Sequence, residues 1–390
     1  MPKKKKNGIS SMAESIINQW GQGVPADRLL RQALRTEKEM LPRHKAAVVE
    51  RVYTFFRWKG CLNQSRPLNQ QIRMARELDA DFRSHAGKIP SEVLKQTIPD
   101  WSFNCLKVTR EWLVQIQRPA LVWLRSPRGG MHRLERFFRK DIQVVGEGPW
   151  RKAFRYFGRH DLFQTPLFEQ GAYEIQDLAS QCVGHFCQPT SGESWWDMCA
   201  GEGGKTLHLA DLLEGKGCVW ATDKSAWRLQ RLKRRAARAG MFNYQSAQWE
   251  TGKPLPFKRK FDGILIDAPC SGLGTWQRHP DARWTTQLDD VRDLAERQWE
   301  CLNAAVGALK PGGKLVYAVC TLTRQETQSV VKRFERAHPD FIPWPWKGQE
   351  PHLPDCHGEA SSKDRHGLTL LPHQWKANGM FMVRWRKTKD

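Results

Sequence analysis

The sequence lacks long apolar runs, and its cysteines form no regular framework. No charge-free apolar stretch has the length of a membrane span, so we expect no contact with a membrane. The first ten residues, MPKKKKNGIS, are charged but contain no apolar core, which is not typical of a secretory signal. The ten cysteines include no CxxC pair and match none of the usual zinc spacings. We therefore expect free thiols, no metal site and a location in the reducing cytoplasm.

Acidic residues are few relative to basic ones. The chain has 63 lysines and arginines against 41 aspartates and glutamates, which gives a formal net charge of +22. A surplus of this size favours a polyanionic partner such as a nucleic acid. A membrane surface would also attract it, but the sequence shows no strongly amphipathic basic helix with a bulky apolar face.

Three segments of the 390-residue chain differ in pattern, and more than one domain is expected at this length. Residues 1–95 repeat apolar positions at spacings of three and four, which predicts a helical domain. Residues 96–168 mix short strand-like and helix-like runs and are densely basic and aromatic, which predicts a small α+β subdomain. Residues 169–390 alternate strands and helices, a pattern typical of a doubly wound parallel α/β sheet.

Within the third segment, apolar runs and turn signals predict individual elements. The predicted strands are 194–198, 218–222, 261–267, 314–319 and 379–385. The predicted helices lie near 205–214, 225–239, 288–309 and 324–337. We expect the last strand to close the sheet as a hairpin strand.

The run WWDMCAGEGGKTLHLADLL predicts a strand, a glycine-rich turn and a helix, which brings backbone N–H groups close to a ligand. GGKT resembles the end of a P-loop, but that motif needs a glycine five places before Gly204, where this chain has Cys199. The loop therefore favours a nucleoside ligand whose ribose is bound by Asp223, at the end of the next strand. The alternative for Asp223 is a helix N-cap, because a helical run begins directly after it.

Two cysteines follow apolar, strand-like runs. Cys270 comes after FDGILID in the run DAPCSGLG, and Cys320 comes after KLVYAV. A doubly wound sheet binds ligands beyond the carboxyl ends of its strands, and neighbouring strands lie about 5 Å apart. If these two strands are neighbours, both thiols face one pocket. Two thiols in one pocket indicate covalent chemistry.

Several long runs resemble a known family. They are QDLAS (176–180), DMCAGEGGKT (197–206), TDKS (222–225), DAPCSGLGTWQRHPDARW (267–284) and KPGGKLVYAVCTLTRQE (310–326). In these runs the chain resembles the Sun/Fmu-type (NOP/Sun group) RNA cytosine-C5 methyltransferases, from about Ile98 onward. The helical N-terminus is similar, more weakly, to the NusB-like RNA-binding domain of ribosomal-RNA members. The resemblance implies a class I methyltransferase Rossmann-like sheet over 169–390, preceded by an RNA-binding-like subdomain over 96–168.

The resemblance also implies S-adenosylmethionine as cofactor, RNA as substrate and roles for three catalytic residues. Cys320 would be the nucleophile that adds to cytosine carbon 6, and Cys270 would assist breakdown of the adduct. Asp267 would contact both the base and the cofactor. The addition turns the ring into an enamine, and its carbon 5 can then attack a methyl group. The implied cofactor-binding residues are Cys199, Ala200, Gly201, Glu202, Gly203, Gly204, Lys205, Asp223, Glu250 and Asp267.

Departures from the family pattern leave alternatives open. The loop reads CAGEGGK where the family usually has CAxPGGK, and Glu250 is only a stand-in for the acid expected beside the adenine. We predict a monomeric RNA 5-methylcytosine methyltransferase that acts on ribosomal RNA. One alternative is a tRNA methyltransferase of the same chemistry. The other is a non-catalytic RNA-binding protein of ribosome assembly, which the altered loop favours and the two intact cysteines oppose.

Basic residues indicate where RNA would bind. Arg228, Arg231, Arg235 and Arg238 fall on about one face of the helix after Asp223, where they would either contact phosphates or be solvated. Arg278 and His279 follow Cys270 closely. The basic and aromatic segment 150–160 suits unpaired RNA, which offers bases for stacking as well as phosphates.

Overall fold

The computed structural model of the protein describes four stretches of the chain: residues 8–85, 88–127, 129–345 and 367–389. They form two compact units. The first contains the chain up to Pro119 together with Thr275–Leu288, and the second contains Ala120–Gly274 and the chain from Asp289 onward. The division at residues 95 and 168 into domains with separate RNA-binding roles stays a prediction.

The first unit is helical, as the apolar spacing predicts. Its helices are α1 (Ile9–Trp20), α2 (Ala26–Thr36), α3 (Pro42–Trp58), α4 (Leu68–His85), α5 (Ser91–Lys95) and α6 (Arg110–Gln117). Val48, Val52 and Phe55 lie three or four positions apart on α3 and are buried. Pro42 occupies the first position of α3, where its missing N–H removes no helical hydrogen bond.

A buried arginine ties Thr275–Leu288 to these helices. The guanidinium of Arg283 donates to the carbonyl oxygens of Ile116 at 2.6 Å and Thr97 at 3.2 Å. Burial, reinforced by repulsion from Arg57, lowers the pKa of Arg283 to about 9. The run DAPCSGLGTWQRHPDARW therefore begins beside a candidate catalytic cysteine and ends in the core of the first unit.

The second unit begins with a small antiparallel sheet. Its strands are β1 (Val122–Arg125), β2 (Ile142–Val144), β3 (Ala153–Tyr156) and β4 (Glu174–Ile175), in the order β2-β3-β1-β4. Helices α7 (Met131–Phe138) and α8 (Pro166–Glu169) accompany it. Leu124, Phe154 and Tyr173 are fully buried in its core. The small sheet spans Val122 to Ile175, whereas the α+β subdomain predicted from the sequence covers 96–168 and stays a prediction.

The remainder of the second unit is a larger, mainly parallel sheet. Its strands are β5 (Ser194–Asp197), β6 (Cys218–Asp223), β7 (Tyr244–Gln248), β8 (Phe261–Asp267), β9 (Leu309–Val319), β10 (Phe341–Pro343), β11 (Leu368–Leu370) and β12 (Met380–Lys387). Its helices are α9 (Leu178–Cys187), α10 (Gly204–Leu212), α11 (Ala226–Arg238), α12 (Leu288–Val306), α13 (Val330–Ala337) and α14 (Pro372–Trp375). The strand order is β10-β12-β9-β8-β5-β6-β7, with β11 paired to β12. Strands β5 to β9 pair in parallel, whereas β12 runs antiparallel to β9.

The central strands are buried on both faces. Leu265 of β8 and Val316 of β9 pack into one apolar cluster with residues of α9 and α10. Their neighbours Ile264 and Leu315 pack into a second cluster with residues of α12 and α13. Continuous apolar strands covered on both faces are typical of doubly wound sheets. The predicted doubly wound sheet is confirmed, and its predicted strands correspond to β5, β6, β8, β9 and the closing strand β12.

One parallel strand, β7, is not predicted by the sequence pattern. The sequence of β7 is YQSAQ, which has neither the apolar content nor the alternation that marks a strand. Its side chains are exposed or half-buried because β7 lies at one edge of the larger sheet. Backbone pairing with β6, from Val219↔Tyr244 to Asp223↔Gln248, holds it in place.

The described residues contain neither a membrane span nor a metal cluster. None of the helices formed by them is both long and apolar enough to cross a bilayer. Nor do three or more His, Cys, Asp or Glu side chains among them come together in a way that could hold a metal ion.

Candidate active site

Two thiols meet at the carboxyl ends of neighbouring strands. β8 and β9 pair in parallel with Asp267 opposite Ala318, so the loops that follow them leave the sheet side by side. Cys270 lies in the first loop and Cys320 in the second, and their sulfur atoms are 3.3 Å apart. The expected shared position of the two cysteines is thus present.

The two thiols differ in acidity. A hydrogen bond with Cys270 lowers the pKa of Cys320, and the nearby Lys205 ammonium lowers it further, against the effects of burial and of the Asp267 charge. The same hydrogen bond and burial raise the pKa of Cys270 well above its ordinary value. Cys320 is therefore the sulfur that ionises first, and Cys270 retains its proton. A thiolate is the nucleophilic form of cysteine.

A salt bridge lies beside the thiols. The Lys205 Nζ atom, at the start of α10, is 2.6 Å from Oδ2 of Asp267, at the end of β8. Burial alone would lower the pKa of Lys205, but the charge of Asp267 raises it, so the ammonium stays protonated. The Lys205 side chain is 10% exposed and that of Asp267 28%, so the pair lies at the edge of the site. It places one positive charge near Cys320.

The glycine-rich loop between β5 and α10 has a backbone that only glycine adopts easily. Gly201 and Gly203 have φ values of +56° and +84°. A Cβ atom on Gly203 would lie 2.6 Å from Cγ of Leu232, so the loop packs directly on α11. A Cβ on Gly201 would instead meet open space. The loop therefore has one face fixed against a helix and one face free for a ligand.

Asp223, at the end of β6, joins this loop to α11. Its Oδ2 accepts a hydrogen bond from the Gly201 backbone N–H at 2.9 Å, and its Oδ1 accepts one from Ser225 N–H at 2.8 Å. The N-cap position of α11 is Ser225 rather than Asp223. Each carboxylate oxygen keeps a second lone pair, so ribose hydroxyls can still bind there.

A known family accounts for this arrangement. The model of the family described as 16S rRNA methyltransferase RsmB/F matches residues 185–386, which include the loop, both cysteines and the closing strand. The chain belongs to the RsmB/F family. The predicted resemblance to Sun/Fmu-type methyltransferases is therefore confirmed.

Relatives with the same family name align with much of the chain. The probable ribosomal RNA small subunit methyltransferase B of Synechocystis sp. is 34% identical over 57% of this chain and 50% of its own length. The Bacillus subtilis relative of that name is 36% identical over 57% and 49%. Ribosomal RNA small subunit methyltransferase B of Shewanella oneidensis is 31% identical over 76% and 68%. The chain thus spans about half the length of the first two relatives.

Solved structures share the fold of this chain. The crystal structure of PH0851 has a TM-score of 0.78, is 20% identical, and is matched over 99% of this chain and 100% of its own. A methyltransferase homolog from Pyrococcus horikoshii has a TM-score of 0.61 at 27% identity, over 71% and 90%. NSun6 from the same organism, solved with SFG, has a TM-score of 0.61 at 20% identity, over 72% and 94%. The predicted class I methyltransferase architecture is confirmed.

Glu326 fastens the two cysteine loops of this RsmB/F member to each other. Its fully buried carboxylate accepts hydrogen bonds from the backbone N–H of Ser271 (2.8 Å) and from the Ser271 hydroxyl. The Thr321 and Thr323 hydroxyls donate to it at 3.1 and 2.8 Å. Ser271 follows Cys270 and Thr321 follows Cys320, so these bonds fix the position of one sulfur atom relative to the other. The sequence contains Glu326 in TRQET but indicates no role for it.

Asp197, the last residue of β5, was not among the predicted site residues. Its side chain is fully buried; Oδ2 accepts from the Thr206 hydroxyl at 2.6 Å, and Oδ1 has no partner. Burial raises the pKa of Asp197 to about 7. A buried, unsatisfied carboxylate oxygen at the base of the glycine-rich loop fits a ligand with a donor or cationic group. Its position at the head of DMCAGEGGKT is the signal that marks it.

The predicted cofactor residues fall into one continuous group and one outlier. Cys199 to Lys205 form the loop and the start of α10, Asp223 bonds to the loop, and Asp267 bonds to Lys205. Glu250, just after β7, has an exposed carboxylate that pairs with Lys253 at 2.6 Å. A contact between Glu250 and a cofactor stays a prediction.

The thiol of Cys199 faces α12 rather than the two cysteines described above. A hydrogen bond with Cys301 of α12, together with burial, raises the pKa of Cys199 well above its ordinary value. The Ala200 backbone N–H donates to the Thr222 carbonyl at 2.8 Å. This side of the loop is therefore engaged in packing.

The arginines of α11 have specific partners. Arg235 and Arg238 form ion pairs with Glu174 of β4, a carboxylate that is 3% exposed, and the Arg235 distance is 2.7 Å. Arg231 pairs with Glu202 of the loop at 2.7 Å. Neither alternative from the sequence, phosphate contact or solvation, describes Arg235 and Arg238. Arg278 and His279 belong to the first unit.

The residue that precedes the closing strand β12 bonds to the loop that follows Cys270. The Gly379 backbone N–H donates to the Gly274 carbonyl at 2.7 Å, and Gly274 N–H donates to the Cys320 carbonyl at 3.0 Å. A Cβ on Gly274 would lie 2.1 Å from the Gly379 oxygen, so no larger residue fits there. The segment leading into β12 is therefore connected to the backbone of Cys320 through Gly274.

Proposed function

We propose that this protein is an RNA methyltransferase that transfers a methyl group from S-adenosylmethionine to carbon 5 of a cytosine in ribosomal RNA. The observation that carries the proposal is the pair of thiols 3.3 Å apart, in which Cys320 is the more acidic. Membership of the 16S rRNA methyltransferase family supports both the reaction class and the RNA. The names of the relatives favour small-subunit ribosomal RNA over tRNA.

The glycine-rich loop supports the cofactor part of the proposal. Gly201 offers its open face to the ligand, Asp223 can accept from the ribose hydroxyls, and Asp197 has an unpartnered oxygen for a polar or charged group. The neighbour NSun6 was solved with SFG, an S-adenosylmethionine analogue. Bound S-adenosylmethionine supplies an electrophilic methyl carbon. The protein's contribution is to orient it and to activate the base.

In the proposed reaction the Cys320 thiolate adds to cytosine carbon 6. The new S–C bond pushes electron density into the ring, toward nitrogen 3 and carbon 5, and the Lys205 ammonium, which Asp267 holds near the thiol, can stabilise that negative charge. Carbon 5 would then take the methyl carbon of bound S-adenosylmethionine, whose S–CH3 electron pair would stay on the sulfur as the thioether product leaves, and a base would remove the proton from carbon 5. Finally the C–S bond breaks and the electron pair returns to the Cys320 sulfur. This divides one difficult substitution into easier steps.

Cys270 assists the last step in this proposal. Its thiol lies within hydrogen-bonding distance of the sulfur that must leave as a thiolate. A hydrogen bond to a leaving thiolate lowers its basicity, and thiols of lower pKa leave faster. The raised pKa of Cys270 keeps its proton available for that bond. The two cysteines therefore have unequal roles: Cys320 attacks, and Cys270 promotes release.

Trapping of a covalent adduct tests the proposal. With small-subunit ribosomal RNA and S-adenosylmethionine, Cys270→Ala is expected to accumulate a protein–RNA adduct stable to denaturing electrophoresis. Cys270→Ala/Cys320→Ala is expected to form none. Cys218→Ala, at the start of β6 and away from the site, is the matched control and should turn over like the wild type. Absence of an adduct together with absence of cofactor binding by calorimetry would leave a non-catalytic RNA-binding protein.

The substrate is tested separately by bisulfite sequencing of RNA from cells with and without the gene. A cytosine in 16S ribosomal RNA is expected to lose its methyl group when the gene is removed. Loss confined to tRNA would overturn the ribosomal assignment and leave the chemistry intact. The monomeric state and the cytoplasmic location stay predictions.

A further inference from the structure

The glycine-rich loop of this chain loses much backbone conformational freedom when it becomes ordered. Gly201, Gly203 and Gly204 are three of the six residues from Cys199 to Gly204, and glycine loses more conformational freedom on ordering than any other residue. A loop that orders only when the cofactor binds reduces affinity by that entropy. Contacts that order the loop beforehand therefore act directly on cofactor affinity.

Arg235 of α11 makes such a contact. Its Nη1 donates to the backbone carbonyl of Glu202, in the middle of the loop, at 3.0 Å. Its Nε and Nη2 donate to Oε2 of Glu174 at 3.2 and 2.7 Å. One planar guanidinium thus bridges a buried carboxylate on β4 and the loop backbone. Arginine's rigid fork of donors suits this bridging, whereas the single ammonium of lysine does not.

Glu174 gives the bridge a fixed anchor. Its side chain is 3% exposed. Burial raises the pKa of Glu174, but Arg235 and Arg238 outweigh burial and hold it below the ordinary value. The carboxylate therefore stays charged and keeps Arg235 oriented. Within the described part of the chain, Arg238 shares this anchor but forms no hydrogen bond to the loop.

Two further contacts act on the same loop. The Arg231 Nη1 atom is 2.7 Å from Oε1 of Glu202, but both side chains are exposed, and such pairs contribute little. Leu232, on the same helix, packs against the Cα of Gly203 closely enough to exclude a Cβ there. Residues 231, 232 and 235 lie on neighbouring turns of α11 and together cover the loop.

We propose that Arg235 is a positioning residue for the cofactor loop, with Arg231 as a weaker partner. It holds the three-glycine loop in its binding conformation before the cofactor arrives, and β4 of the small sheet, through Glu174, serves as the anchor. The proposal rests on the proposed function, because it takes S-adenosylmethionine as the ligand of the loop.

The chain offers a matched pair of variants. Arg235→Lys and Arg238→Lys each keep a positive charge beside Glu174, but only the first removes the bond to the Glu202 carbonyl. Calorimetry with S-adenosylmethionine is expected to show a Kd about tenfold higher for Arg235→Lys, which corresponds to about 1.4 kcal/mol. Arg238→Lys should change the Kd less than about twofold, and Arg231→Ala about two- to threefold. Hydrogen exchange of the cofactor-free protein should show faster exchange at Gly201 and Gly203 in Arg235→Lys alone.

Two outcomes separate this proposal from the proposed function. A wild type that binds no S-adenosylmethionine contradicts the proposed function, while hydrogen exchange of the free loop still decides whether Arg235 orders it. A wild type that binds, with equal Kd values and equal loop exchange in Arg235→Lys and Arg238→Lys, overturns the positioning role. If Arg235→Lys does not fold, Glu174→Gln, which removes the charged anchor of Arg235, forms the test. A higher Kd with faster exchange at Gly201 and Gly203 supports the positioning role, and an unchanged Kd with unchanged loop exchange overturns it.

Discussion

The Cys270 and Cys320 sulfur atoms lie 3.3 Å apart, and the hydrogen bond between them lowers the pKa of Cys320 and raises that of Cys270. This bond makes the two cysteines unequal before any substrate arrives. Cys320 loses its proton more readily, and Cys270 keeps its proton. The acidity of Cys320 is therefore a property that substitutions around it should move in predictable directions.

Removal of the donor should make Cys320 less acidic. In Cys270→Ala the sulfur of Cys320 loses the hydrogen bond that contributes most to its lowered pKa. The midpoint of its alkylation by iodoacetamide, followed by peptide mass spectrometry across pH, is expected to move to higher pH. Cys218→Ala provides the comparison. An unchanged midpoint would contradict the proposed direction of the hydrogen bond.

The salt bridge beside the thiols should act in two opposite directions. Lys205 lowers the pKa of Cys320, whereas the Asp267 carboxylate raises it. Lys205→Met is therefore expected to move the alkylation midpoint of Cys320 to higher pH, and Asp267→Asn to lower pH. The same alkylation series measures both variants. Shifts of the same sign in the two would show that packing, rather than charge, controls the thiol.

Substitution of Glu326 should be costly. Glu326→Ala leaves donors from Ser271, Thr321 and Thr323 without their buried acceptor, which is expected to lower the free energy of unfolding by about 3 kcal/mol or more. Urea denaturation measures the loss. Glu296→Ala, which removes an exposed partner of Arg333, is the control and should cost less than about 1 kcal/mol. Comparable losses in the two variants would mean that the Glu326 bonds add no stability.

The buried carboxylate of Asp197 should leave a signature in the pH dependence of stability. Its pKa is about 7 when folded, above the ordinary value of about 3.9, so between these values the unfolded chain binds fewer protons. Stability therefore falls as pH rises through this window. Asp197→Asn removes this titration. Between pH 5 and pH 8 its free energy of unfolding is expected to fall by about 2 kcal/mol less than that of the wild type. Urea denaturation at both pH values checks this, and equal losses would contradict it.

The sequence predicts what depends on local pattern. The apolar runs before Cys270 and Cys320 place both at strand ends because a strand buried on two faces must be apolar throughout. β7 was missed because an edge strand held by backbone pairing needs no such pattern. The glycines of the loop were found because their positive φ values demand glycine.

Long-range electrostatics accounts for most of what the sequence does not predict. Arg235 and Glu174 are 61 positions apart, and nothing in either local pattern pairs them. The bond between Lys205 and Asp267 spans 62 positions. Asp197 occupies a predicted strand end, but its missing partner is visible only once β5 is packed between β6 and β8. Periodicity specifies faces and ends, whereas charge partners depend on the completed fold.

The contact between Gly274 and Gly379 has a consequence for the order of synthesis. A nascent chain folds its earlier parts first, yet the loop behind Cys320 is braced by a segment translated about sixty residues after that cysteine. Both thiols are therefore made well before the strand that completes their surroundings has left the ribosome. The surroundings of Cys320 therefore stay incomplete until the segment around Gly379 has been synthesised and has paired with Gly274.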